Sequence, residues 1–263
     1  MRRFGIILGL MVGMAAAPTS ADEARGYEIA AEADRRAGGF EDSAATLRMV
    51  LRDGRGGESE RALRIRILEG PDGDIDLGNK SLIVFDSPAD QRGTALLTYG
   101  YKSEPDDQWL YLPALKRVKR IAASNKSGPF VGSEFAYEDF AGQELEKFTY
   151  RYLRDEQLDG IDCFVIERIP VGSDSGYTRQ VVWLDKEEYR IWKIEYYDRK
   201  ESLLKTLRVS DYRLYDEKHW RPGASLMVNH QTAKSTLLNY TDYRFGNGFT
   251  DADFSRNSLK RMR

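Results

Sequence analysis

The chain is poor in the residues that most catalytic and metal chemistry requires. Its 263 residues include one cysteine and two histidines. Cys163 has no second cysteine with which to form a disulfide, and its setting in IDCFVIERI (161–169) reads as a small hydrophobe on a buried strand. His219 and His230 lack metal-ligand spacing with another His or Cys. No metal site and no cofactor are expected. A G-x-S-x-G elbow and a glycine-rich phosphate loop are both missing. Charge is nearly balanced, at a formal −2, which gives no basis for nucleic-acid binding. Two adjacent acidic pairs, Asp106/Asp107 and Glu138/Asp139, could in principle do acid–base work. In so charged a chain they read as solvated groups, and no catalytic residue is expected.

The N-terminus carries the marks of an export signal. Arg2 and Arg3 precede an apolar stretch from Phe4 to Ala17, too short for a comfortable membrane span, and Thr19-Ser20-Ala21 offers small residues before Asp22. Residues 1–21 are therefore expected to be a signal peptide cleaved after Ala21, and 22–263 a single exported domain.

Beyond it, one helix is expected, from Tyr27 to Ala37, where Ile29, Ala30, Ala33 and Ala37 recur among Glu and Arg and Gly38-Gly39 closes the run. The rest reads as strands: 44–52, 60–69, 80–86, 93–101, 107–112, 147–155, 161–169, 177–185, 189–198, 203–214, 225–231 and 236–246. Leu63, Ile65 and Ile67 alternate with Arg64 and Arg66 as a half-buried strand requires. Short polar connections such as RDGRGG (52–57) and DKEE (185–188) favour hairpins over crossover helices. The fold class is mainly β: one long antiparallel sheet, strongly curved because curling shelters its edges, with a few covering helices. A second helix is expected near Phe135–Glu144, and a helical turn near Asp251–Leu259.

Aromatic residues are abundant where strands are expected. Trp109, Trp183, Trp192 and Trp220 lie in or beside them. A curled sheet has more concave face than its own side chains need fill, and an apolar pocket with a polar mouth is a default ligand site. Two stretches stand out. DQWLYLPALKRVKRI (107–121) sets Trp109 and Tyr111 beside Lys116, Arg117, Lys119 and Arg120, a basic rim suited to anionic head groups or an acidic partner protein. GPFVGSEFAYEDF (128–140) places Phe130, Phe135, Tyr137 and Phe140 between glycines, as an amphipathic flap over a cavity mouth would. Candidate residues for binding an amphipathic ligand, in the cavity or its flap, are Trp109, Tyr111, Phe130, Phe135, Tyr137, Phe140, Trp183 and Trp192.

These two stretches, with GNKSLIVFDSPADQRGTALL (78–97) and VVWLDKEEYRIWKIEYYD (181–198), resemble the outer-membrane lipoprotein-sorting protein family, the LolA-like periplasmic carriers often associated with RND-type transporters. The resemblance spans the mature chain. It implies an unclosed β-barrel lined with apolar groups, a periplasmic location and a non-enzymatic carrier of lipid or lipoprotein acyl chains. An RND-type inner-membrane transporter or an outer-membrane acceptor is the implied partner, with peripheral membrane contact. The alternative is a docking protein of such a transport or envelope-assembly complex, its core filled by its own side chains.

Overall fold

Helix α1 (Ser20–Ala37) begins where Thr19 caps it: the Thr19 hydroxyl accepts from the Asp22 amide, and the Asp22 carboxylate accepts from the Thr19 amide in return. The helix therefore starts seven residues before the expected Tyr27, and the expected cleavage point falls within its first turn. A computed structural model describes residues 19–71, 74 and 76–261. Most of the expected signal sequence, residues 1–18, lies outside the described residues.

The strands are β1 (Asp42–Arg52), β2 (Glu58–Leu68), β3 (Leu77–Ser87), β4 (Ala95–Tyr101), β5 (Asp107–Leu112), β6 (Arg117–Arg120), β7 (Phe148–Leu158), β8 (Ile161–Pro170), β9 (Tyr177–Asp185), β10 (Ile191–Asp198), β11 (Leu203–Ser210), β12 (Arg213–Tyr215), β13 (His219–Arg221), β14 (Ala224–Asn229) and β15 (Ser235–Phe245). Thirteen of them form one antiparallel sheet in the order β6-β5-β4-β3-β2-β1-β15-β14-β11-β10-β9-β8-β7, and β12 with β13 makes a separate ribbon. The expected strand 203–214 thus ends early and gives way to that ribbon. Neighbours in sequence are neighbours in the sheet, except that β6 and β7 lie at opposite ends, β15 returns beside β1 and the ribbon interrupts β11 and β14. Strands β6 and β7 are the two ends and do not pair with each other, so the sheet is unclosed.

The sheet curls, because inward-facing residues from both of its halves meet in one core. Leu47, Met49, Leu63, Ile83, Phe85, Leu96 and Leu110 join Ile166, Val182, Leu184, Ile194 and Tyr196 there. Alternate residues face the other way and form two clusters on the convex side. One gathers Leu82, Val84, Ala95, Leu97, Trp109 and Tyr111 under Phe254 and Leu259 of the C-terminal 3-10 turns. The other holds Leu158, Cys163, Val165, Val181 and Trp183, with Trp192 packed against it.

Asp106 knits the gap between the sheet's ends. Its carboxylate is ion-paired to Lys147 and accepts from the amides of Tyr101 (3.0 Å) and Gly142 (2.9 Å). It is buried, and Asp107 is bonded to Arg120. Neither belongs to the solvated pair read from the sequence. Helix α1 docks on β7 through Gly26, where a Cβ would lie 2.6 Å from the backbone of Arg151 and Tyr152, so only glycine permits this approach.

Candidate functional site

Register divides the concave face into two ends. Pairings such as Met49 with Arg61, Leu63 with Phe85, Tyr196 with Gln180 and Lys205 with Asn229 mark one end; Ser43 with Ile67 and Ile191 with Leu184 mark the other. The first end is filled, the second hollow.

The filling is the segment 128–140. It is not the expected helix. Pro129 bridges Ala136, the Phe130 amide donates to the Phe135 carbonyl (2.7 Å), and the Tyr137 amide donates to the Gly128 carbonyl (3.1 Å). Single 3-10 turns at Phe130–Gly132 and Tyr137–Phe140 replace a helix: Val131 and Gly132 take positive φ angles, and Ser133, Ala136 and Ala141 are extended, so no helical ladder runs through 135–144. Phe130 is fully buried against Phe85, Tyr137 and Phe140, with ring centroids 4.7–5.6 Å apart, and Phe135 packs on Phe140. These four aromatics form a plug wedged into the core rather than a flap over a mouth.

Polar bonds pin the plug from several strands. Gln108 donates to the Tyr137 carbonyl, Arg61 to the Val131 carbonyl, and Thr236 accepts from the Glu134 amide. Asp139 is the central tie: its carboxylate holds the Lys205 ammonium at 2.7 Å and the Tyr177 hydroxyl at 2.8 Å, and it caps the Ala136 amide. Glu138 accepts from the Ser175 hydroxyl and the Gly176 amide. Burial, reinforced by the neighbouring Asp139 charge, raises the Glu138 pKa against the opposing pull of those two hydrogen bonds. The adjacent carboxylates read as solvated are structural anchors.

At the other end lies a cavity of about 440 Å³ between α1 and the sheet. Helix α1 gives it Ala30, Ala33 and Ala37, residues three and four apart on one face. Their side chains are short, and the space between helix and sheet is left beside them. The opposite wall is Tyr150, Ile166, Val182, Leu184 and Ile191, and the rim includes Tyr212, Trp220 and Arg221 beside Arg36, Glu188 and Arg190. Burial pushes the Tyr150 hydroxyl pKa up to about 12, keeping it neutral.

None of the eight residues singled out for lipid binding lines this cavity. Phe130, Phe135, Tyr137 and Phe140 belong to the plug. Trp109 and Tyr111 point to the convex side beneath the C-terminal segment, and Trp183 and Trp192 lie in the second convex cluster. A bulge between Ile191 and Lys193 turns Trp192 outward while Ile191 reaches the cavity. Strand parity was the signal available for Trp109 and Trp183: each alternates with a core residue, Leu110 or Val182, that takes the inner face. Lys116, Arg117, Lys119 and Arg120 are exposed on the edge strand β6 and the residue before it. Arg120 is bonded to Asp107; Lys116, Arg117 and Lys119 make no ion pair among the described residues. Burial pushes the Cys163 thiol up to about 11, which suppresses the reactive thiolate. Among the described residues no group of His, Cys, Asp or Glu is arranged to hold a metal.

A family model whose description reads "uncharacterized protein" matches residues 78–261. No curated protein sequence matches. Among solved structures, a domain described as that of an outer membrane lipoprotein-sorting protein from Vibrio parahaemolyticus is 51% identical, covers 91% of this chain and all of its own, and superposes with a TM-score of 0.87. A DUF1329 family protein from Desulfovibrio piger is 30% identical over 90% of this chain and 99% of its own, with a TM-score of 0.85. A LolA superfamily protein from Nitrosomonas europaea, 20% identical over 89% of this chain and 98% of its own, shares the fold with a TM-score of 0.70.

Proposed function

The chain belongs to the LolA-like outer-membrane lipoprotein-sorting family, and on that premise we propose that it is a periplasmic carrier whose α1-end cavity holds an acyl chain during transfer between envelope membranes. The carrier unit is residues 22–263, released by removal of 1–21 on export. The observation that carries this reading is the cavity itself. About 440 Å³, with alanine, isoleucine, valine and leucine side chains in its wall beside aromatic and charged groups, falls within the roughly 300–1,000 Å³ usual for ligand pockets. An acyl chain entering it gains about 0.8 kcal/mol per buried methylene, offset by the cost of association. Ten methylenes would then contribute on the order of 8 kcal/mol before that cost. No covalent step is needed. Sequestration from water is the whole mechanism, and release requires an acceptor, a membrane or a transporter, that binds the chain more tightly.

Lys116, Arg117 and Lys119 on the open edge of the sheet support docking to such an acceptor through anionic head groups or acidic side chains. They also favour a second reading, a docking component of a transport complex with an RND-type partner, in which the cavity carries nothing. Native mass spectrometry of protein purified without delipidation separates the two. The carrier reading expects a co-purifying acyl species that is lost when Ala30 and Ala33 are both replaced by leucine. Protein that gains no acyl ligand from any membrane extract would sink it.

A further inference from the structure

Four arginines and two carboxylates stand in the cavity's wall and rim: Arg36, Arg168, Arg190 and Arg221 against Asp34 and Glu188. Two of the arginines are neutralised. Arg36 is bonded to Glu32 and, at 3.0 Å, to Glu188; Arg190 is held by Asp185 at 2.8 Å. The other two have no carboxylate within ion-pairing distance among the described residues. Arg221 donates to the carbonyls of Trp220 and Ala37. Arg168, only 8% exposed, donates from Nε to the Gln180 side chain at 2.7 Å and from Nη2 to the Gln143 side chain at 3.0 Å, with Phe148 stacked 4.7 Å away. Its Nη1 makes no hydrogen bond among the described residues.

A buried guanidinium with only neutral amide partners is costly, because desolvation is not offset by an opposite charge. The nearby Asp139 does not supply that charge, since Lys205 and the Tyr177 hydroxyl already occupy it. Asp34 lines the same cavity but makes no ion pair with Arg168 among the described residues. Glutamine side chains from β9 and from the segment leading out of the plug fix the fork in place, and Arg168 is among the residues lining the cavity. Fixed orientation, an unspent charge and an adjoining apolar chamber are the parts of a site for an anionic amphiphile.

We propose that the cavity selects single-chain amphiphiles with an oxyanion head, carboxylate or phosphate, and that Arg168 is the counter-ion for that head while the chain lies between the α1 alanines and Ile166, Val182 and Leu184. This deepens the carrier reading and rests on it. It explains why a cavity otherwise suited to hydrocarbon keeps an uncompensated cation in its wall, and it distinguishes the ligand from a neutral lipid.

The test compares matched pairs on the purified full mature chain: hexadecanoate with its methyl ester, and hexadecyl phosphate with hexadecanol, by calorimetry or displacement of a fluorescent probe. The wild type should bind at least one oxyanion about tenfold or more tightly than its neutral partner, the scale of a charge-assisted hydrogen bond. Arg168→Met should bring that ratio to about one and leave the neutral ligand's affinity unchanged. A merely structural Arg168 would weaken both members of a pair in parallel. Should the Met variant fail to fold, Arg168→Lys, which keeps a cation but loses the fork, should retain a smaller preference. The responding pair, acid or phosphate, identifies the head group. Equal binding of charged and neutral ligands by the wild type overturns the selectivity and leaves the carrier reading standing. Binding of none of the four removes both.

Discussion

The two ends of the concave face are built from the same strands and have opposite fates. At one end the 128–140 segment drives Phe130, Phe135, Tyr137 and Phe140 into the sheet and ties itself down through Asp139. At the other, α1 lies over the strands and presents the alanines Ala30, Ala33 and Ala37 to a cavity that Ile166, Val182 and Leu184 also line. Close-packed protein interiors hold few voids larger than a water molecule. A hollow beside a solid core in one curled sheet therefore reflects side-chain size at the covering element, not the sheet. Stability is concentrated where the aromatics are, and binding capacity where they are missing.

That division breaks most sharply at Asp139. Replacing it with asparagine leaves Lys205 buried, 4% exposed at the side chain, without its countercharge. The expected loss is about 3–5 kcal/mol in urea unfolding, with the plug end destabilised and the cavity's residual ligand capacity unchanged in whatever fraction stays folded. A loss below ~1 kcal/mol would mean that the plug is held by its phenylalanines alone. Gly26→Ala comes next. Its methyl would meet β7 backbone at 2.6 Å, so α1 must shift outward, costing about 1–3 kcal/mol and loosening the cavity's lid. Thermal denaturation together with ligand affinity should show both effects, where Asp139→Asn shows only the first. Ala33→Leu should do the reverse. Filling a hollow rather than crowding a packed core, it should change stability by less than about 1 kcal/mol while abolishing acyl binding. Retained binding would place the ligand elsewhere.

Backbone architecture was far more legible in the sequence than this division of labour. Twelve expected strands correspond to strands of the main sheet, because each side of the sheet buries one parity of residues and the alternation is written directly in runs such as Leu63, Ile65 and Ile67. What alternation does not reveal is which parity is concave. Trp109 and Trp183 attract attention by size, yet the inner positions belong to their smaller neighbours Leu110 and Val182. The helix expected at 135–144 failed for a local reason: Ala136 and Ala141 are extended, and the Ala136 amide is satisfied by the Asp139 cap beside the Pro129–Ala136 bridge instead of by a helical ladder. The cavity was least visible because it is made by what is small. Ala30, Ala33 and Ala37 were legible as a helix face but not as a space, and Arg168 looks in sequence like any polar residue alternating along β8.

The smallest expected effect probes the plug's second carboxylate. Burial lifts the Glu138 pKa above its ordinary 4.5, so the folded state holds that proton more tightly than the unfolded chain does. The sign follows: its contribution is fully present below the ordinary carboxylate pKa and is lost as pH rises through the elevated folded value. At neutral pH the ionised group costs stability, and the Ser175 and Gly176 hydrogen bonds and the nearby Lys205 charge offset part of that cost. Glu138→Gln removes the charge and keeps an acceptor. The variant should thus be at least as stable as the wild type at neutral pH, and its advantage should shrink as pH falls toward 4.5. Equilibrium unfolding of the two proteins across that range gives the difference directly. A pH-independent difference would mean that Glu138 is as well solvated as the sequence alone suggested, and the plug would then depend on the Asp139 tie without a second buried carboxylate beside it.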